Sequence, residues 1–143
     1  MNNNEIISKL LKMDLTNIKV VSSLLDMAIN TENAKLGIKV RDICAINTKK
    51  VPQKALEFQE LYKNALLFCA PEDFDSYMLY MEIGRSPKER FYQPRRKILK
   101  RAVEQLQRLA DDELDELFLS MPPRVGKTTL LLFFLTWIIG RDG

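Results

Sequence analysis

At 143 residues the chain has length for one ordinary domain, or for a small domain and part of another. Its apolar and charged fractions, 46% and 29%, are those of a globular protein, and a net charge of +3 is too small to argue for nucleic acid by itself. The absence of histidine excludes a histidine-based triad or zinc site, and two distant cysteines, Cys44 and Cys69, read as reduced core thiols rather than a disulfide framework.

The polar start Met1-Asn-Asn-Asn-Glu5 lacks the basic segment of a signal peptide. Ile6, Ile7, Leu10 and Leu11 then mark one face of a short helix. Asp14 to Asn17 breaks it, and a second helix over 17–30 carries Ile18, Val21, Leu24, Leu25, Ala28 and Ile29 at helical spacing. Gly37 reads as an interruption. Residues 36–45 read as helix, although Leu36, Ile38 and Val40 also alternate. Pro52 opens the next helix, which Ala70-Pro71 ends. Glu72 and Asp73 begin a short helix carrying Phe74, Tyr77, Met78 and Met81, which closes near Gly84. Ser86-Pro-Lys-Glu89 has the form of a capping box. Beyond Pro94 the residues Ile98, Leu99, Ala102, Val103, Leu106 and Leu109 make an amphipathic helix to Ala110. A turn at Asp111-Asp-Glu113 leads into a predicted buried strand over 114–120, and a helix over 127–139 is closed by Gly140. That last helix is apolar nearly all round, so it needs cover on every side, and its apolar run is too short to span a bilayer.

Between strand and helix lies Gly126-Lys127-Thr128, the closing triplet of a phosphate loop. A polyphosphate needs closely spaced donors. Backbone N–H groups at a helix start supply them, and the helix dipole adds favourable charge. Gly126 lets the backbone approach without a Cβ in the way. Lys127 is placed for the β/γ-phosphates of ATP, and the Thr128 hydroxyl for Mg²⁺, with the N–H of Thr129 beside it. The first glycine of the full pattern G-x-x-x-x-G-K-[ST] falls on Met121, and Pro122 and Pro123 have no N–H to offer. The cradle therefore runs from Arg124 and Val125 to Thr129.

The run Ser120-Met-Pro-Pro-Arg-Val-Gly-Lys-Thr-Thr129 resembles the ATPase loop of the large terminase subunit of tailed bacteriophages. The upstream run Glu89-Arg-Phe-Tyr-Gln-Pro-Arg-Arg-Lys-Ile-Leu99 looks like the segment that precedes that loop. The resemblance covers about residues 86–140, and the first 70 residues carry no matching motif. It implies a motor that hydrolyses ATP with Mg²⁺ to drive double-stranded DNA into a capsid, with a portal and a small terminase subunit as partners. The complete protein would be an oligomer in the cytoplasm of a bacterial host, away from membranes. It also implies that Gln93 reads the adenine edge, since one amide both donates and accepts, with Phe91 or Tyr92 packing on the base. Arg124 is a candidate for the γ-phosphate as a cis arginine finger. Terminases that carry a loop arginine have it one position earlier, where this chain has Pro123.

Arg85, Lys88, Arg90, Arg95, Arg96, Lys97, Lys100 and Arg101 form a basic cluster with Glu89 the one acid among them. It reads as a solvated face, or one paired with the acids over 111–116, ahead of a surface tracking a phosphate backbone. No apolar run ending in Asp-Glu follows the loop, and no acid cluster suits a two-metal nuclease. The expected fold is therefore mostly α: a helical region over 1–85, then over 86–143 the first strand, phosphate loop and helix of an α/β P-loop ATPase domain, incomplete here. Two alternatives stand beside it. One is a piece of another P-loop ATPase such as a helicase. The other is a non-catalytic helical module that docks a partner.

Overall fold

The computed structural model describes residues 2–117 and 126–142. In chain order these form α1 (Asn3–Leu11), α2 (Ile18–Asn30), α3 (Ala34–Lys50), α4 (Ala55–Cys69), α5 (Phe74–Glu82), α6 (Tyr92–Ala110) and α7 (Lys127–Asp142), with 3₁₀ turns at Pro52–Lys54 and Pro87–Glu89. The chain divides into two compact units, Met1–Cys69 and Ala70–Gly143. The expected domain division at 85/86 falls inside the second unit, in the link between α5 and α6.

In the first unit, asparagines set the helix starts. Asn17 accepts from the N–H of Lys19 and Asn33 from that of Leu36, which satisfies donors that a helix leaves open in its first turn. The periodic face Val21, Leu24, Leu25 and Ala28 of α2 joins Val40 and Cys44 of α3 and Phe58 and Ala65 of α4 in one buried cluster. Gly37 lies within α3 and does not interrupt it. A Cβ there would come within 2.8 Å of the Cys69 sulfur and of the Phe68 ring, so glycine is what lets α3 and α4 approach. Both cysteines are free and buried.

In the second unit, α7 docks through Leu130, Phe134 and Trp137, one helical stripe that is buried. Phe74 packs on Phe134 edge-on at 5.3 Å and stacks on Trp137 at 5.2 Å. The Trp137 indole N–H donates to the Ala70 carbonyl at 2.8 Å, which satisfies its buried polar atom. Arg141 lies over the Trp137 ring and pairs with Asp111 at 3.0 Å. The Gln107 side chain ties α6 to the start of α5, accepting from the Phe74 N–H and donating to the Glu72 carbonyl.

Three expectations are corrected here. Among the described residues there is no strand–loop–helix opening of an α/β fold: the regular elements are all helical, and residues 114–117 have no regular structure. A strand is held by ladder hydrogen bonds to a neighbour, and no described segment offers one. The remainder of that expected strand, residues 118–120, lies outside the described residues. Second, α7 is covered on one face, and Leu132, Leu135 and Ile139 on the other are exposed. Third, Gly140 does not close α7, which continues to Asp142. Among the described residues no helix is long and apolar enough to cross a membrane.

Candidate functional site

Glu82, the last residue of α5, is only 1% exposed. Its carboxylate accepts from the N–H groups of Phe91 at 2.6 Å, Tyr92 at 2.9 Å and Gln93 at 3.1 Å. A buried carboxylate thus caps α6 from across the 3₁₀ turn, where its negative charge also meets the positive end of the helix dipole. Arg85 lies 3.8 Å away and adds a counter-charge. The Ser86 side chain makes no capping hydrogen bond, so the capping box expected there is replaced by Glu82. Pro94 falls in the first turn of α6, where a missing N–H leaves the helix ladder intact.

Tyr92 follows and turns inward. It is 1% exposed, and its hydroxyl donates to the Asp75 carboxylate. Burial, and then the negative charge of Asp75, push its phenol well above the usual range. Arg96 grips the same carboxylate with Nε at 2.9 Å and an NH2 nitrogen at 2.7 Å, and that hydrogen bond raises the guanidinium further. Tyr92 therefore has no face to offer a nucleobase.

Phe91 points towards the glycine of the loop. Gly126 has φ of +88°, the left-handed region that suits glycine, and a Cβ built on it would fall 2.2 and 2.6 Å from Phe91 ring carbons. The Phe91 ring also stacks on Phe133 with a 13° interplanar angle, and the Arg95 guanidinium lies over it at 4.9 Å while donating to the Phe91 carbonyl. With its faces and one edge engaged, Phe91 is no more a stacking partner for a base than Tyr92. The expected aromatic contact with adenine is corrected for both.

The helix that starts at Lys127 carries Thr128 and Thr129 in its first turn, and all three are exposed. The Gly126 carbonyl accepts from the Leu130 N–H at 2.9 Å, which fixes the first turn. Helix geometry leaves the donors of that turn without intrahelical partners, and they suit an anion. Lys127 also lines a cleft of about 530 Å³ between α6 and α7, otherwise apolar and bordered by Leu106, Leu109, Leu131 and Phe134. Gln93 is exposed on the first turn of α6, with its carboxamide oxygen accepting from Arg90 at 2.5 Å. Arg124 and Val125 lie outside the described residues. Among the described residues no group of three or more carboxylates or cysteines converges as a metal site.

Much of the basic cluster is engaged within its own unit, Arg85 by Glu82. Arg96 holds Asp75, Arg90 donates to the Arg85 and Ile83 carbonyls, Arg95 covers Phe91, and Lys100 faces Glu104 at 4.0 Å. The acidic turn pairs instead with Arg108 and Arg141.

Comparison with protein-family models, with curated proteins and with solved structures finds no match. The likeness to phage terminases therefore rests on the residues quoted above.

Proposed function

We propose that the turn from Gly126 into α7 is the phosphate-binding end of an ATP site, and that the chain is the ATP-binding part of a DNA-packaging motor of the terminase large-subunit type. The observation that carries this reading is Gly126 at positive φ directly before a helix whose first turn exposes Lys127, Thr128 and Thr129. Those residues are the kinds a polyphosphate needs: backbone donors and a dipole at a helix start, with a lysine in the same turn. In this reading Lys127 holds the β/γ-phosphates, Thr128 ligates Mg²⁺, and Arg124 and Val125 extend the cradle. Gln93 gives base preference without an aromatic partner. ATP turnover in the complete motor drives double-stranded DNA, with a portal and a small subunit as partners, in the cytoplasm of a bacterial host.

The experiment is equilibrium binding of Mg-ATP to the chain and to Lys127→Ala. Weak binding by the parent that falls at least about tenfold in the variant is expected, because the ammonium meets the most charged phosphates. No binding by the parent, or the same affinity in both, overturns the reading. A second reading is a non-catalytic helical module that docks a partner. It is favoured by the helical character of every regular element described and by the exposed stripe Leu132, Leu135 and Ile139. Absence of nucleotide binding would select it.

A further inference from the structure

Nothing in the loop motif requires an aromatic ring against Gly126, yet the ring is there and its placement is over-determined. The backbone N–H of Phe91 is held by the buried Glu82 carboxylate at 2.6 Å. Its carbonyl is held by Arg95 at 2.8 Å, and its faces meet Arg95 and Phe133. The remaining edge lies where the Cβ of any other residue at 126 would stand. We infer that Glu82 and Phe91 form a brace that sets the start of α7, with Phe91 as a positioning residue for the phosphate-binding turn and Glu82 positioning Phe91. The consequence for nucleotide affinity rests on the phosphate-site reading of that turn, whereas the brace itself does not.

A left-handed glycine has many neighbouring conformations, so a helix that begins directly after it frays unless something packs against that residue. Phe91 supplies that packing from the N-cap of α6, a separate element whose first turn is itself fixed by Glu82. Anion binding at a helix start needs its N–H groups already aligned, because ordering them on binding subtracts from affinity. By linkage, a ligand at the α7 turn must in return steady the first turn of α6.

The test is amide hydrogen exchange on the full chain, read at Leu130 in the first turn of α7 and at Ile138 near its far end. Phe91→Ala should speed exchange at Leu130 about tenfold and leave Ile138, beside the anchored Trp137, unchanged. Glu82→Gln should act in the same direction and also expose the amides of Tyr92 and Gln93. A double-mutant cycle guards against a general loss of fold. Gly126→Ala should perturb Leu130 strongly in the parent and less where Phe91 is already Ala, because the clash with the ring goes while the cost of an alanine at positive φ remains. Equal effects of Gly126→Ala in both backgrounds, or unchanged Leu130 exchange in Phe91→Ala, overturns the brace. Mg-ATP affinity measured on the same proteins should fall about tenfold in Phe91→Ala. If the parent binds no ATP, the phosphate reading fails while the exchange data still decide the brace.

Discussion

At the scale of single residues, two side chains carry distinct expectations. Gln93 offers one amide on the exposed first turn of α6, with its oxygen taken by Arg90. On the proposed ATP-site reading its amide nitrogen is left to donate to a base, and removing it should change base preference more than phosphate affinity. The ratio of ATP to GTP affinity should move towards one in Gln93→Ala, and an unaltered ratio would return Gln93 to partnering Arg90 alone. Cys44 is fully buried, and burial pushes its thiol up from 9.0 to about 12. The folded state therefore disfavours the thiolate that the unfolded chain forms readily. The sign follows: this group leaves stability untouched below pH 9, and lowers it as pH rises from about 9 towards 12. Denaturant midpoints compared with Cys44→Ala across that range should converge as pH rises, and parallel curves would show that the thiol does not titrate there. Native Cys44 should also resist thiol reagents at neutral pH until the chain unfolds.

At the scale of elements, the joint between α5 and α6 depends on one carboxylate. Asp75 accepts from the buried Tyr92 hydroxyl and from the forked Arg96 guanidinium. Removing the acceptor leaves the buried Tyr92 hydroxyl proton without an acceptor and Arg96 without its counter-charge, whereas removing the hydroxyl leaves a carboxylate that Arg96 and water still satisfy. Asp75→Ala should therefore cost about 2 kcal/mol and Tyr92→Phe about 1 kcal/mol, read from urea midpoints at constant slope. Equal costs would mean that Tyr92 contributes little beyond its ring. The helices themselves were legible in the sequence because period and caps agree: Val21, Leu24, Leu25 and Ala28 are spaced for one face, and Asn17 stands where a cap belongs. The α6 cap was not legible. Glu82 reads as the end of one helix, and nothing local links it to amides nine to eleven residues later. Gly37 misled for a related reason, since a glycine that breaks a helix and one that admits a neighbour look alike until Phe68 and Cys69 are in place. The strand misled because an apolar run reads as buried whether or not a sheet exists to bury it.

At the scale of the molecule, Gly126-Lys127-Thr128 was legible as a turn into a helix, while what surrounds it was not. Phe91 closes on Gly126 from a distant part of the chain, and α7 buries one stripe and shows another. That exposed stripe fixes the last expectation. Leu132, Leu135 and Ile139 are 59%, 55% and 71% exposed and recur at helical spacing, so they form a continuous apolar ridge. Burying each of them would contribute up to about 1.5–3 kcal/mol, and association between copies is the direct route to that gain. Light scattering on the chain should give a mass above the monomer that rises with concentration, and Leu135→Lys with Ile139→Glu should return it to the monomer. Phosphate release with Mg-ATP should stay at background in both proteins, because hydrolysis needs a carboxylate-held Mg²⁺ and a group to position water, and the sequence after Thr128 offers neither. A parent that is monodisperse and monomeric would show that the ridge is no interface. Steady turnover would show that the acids for hydrolysis come from residues before the loop.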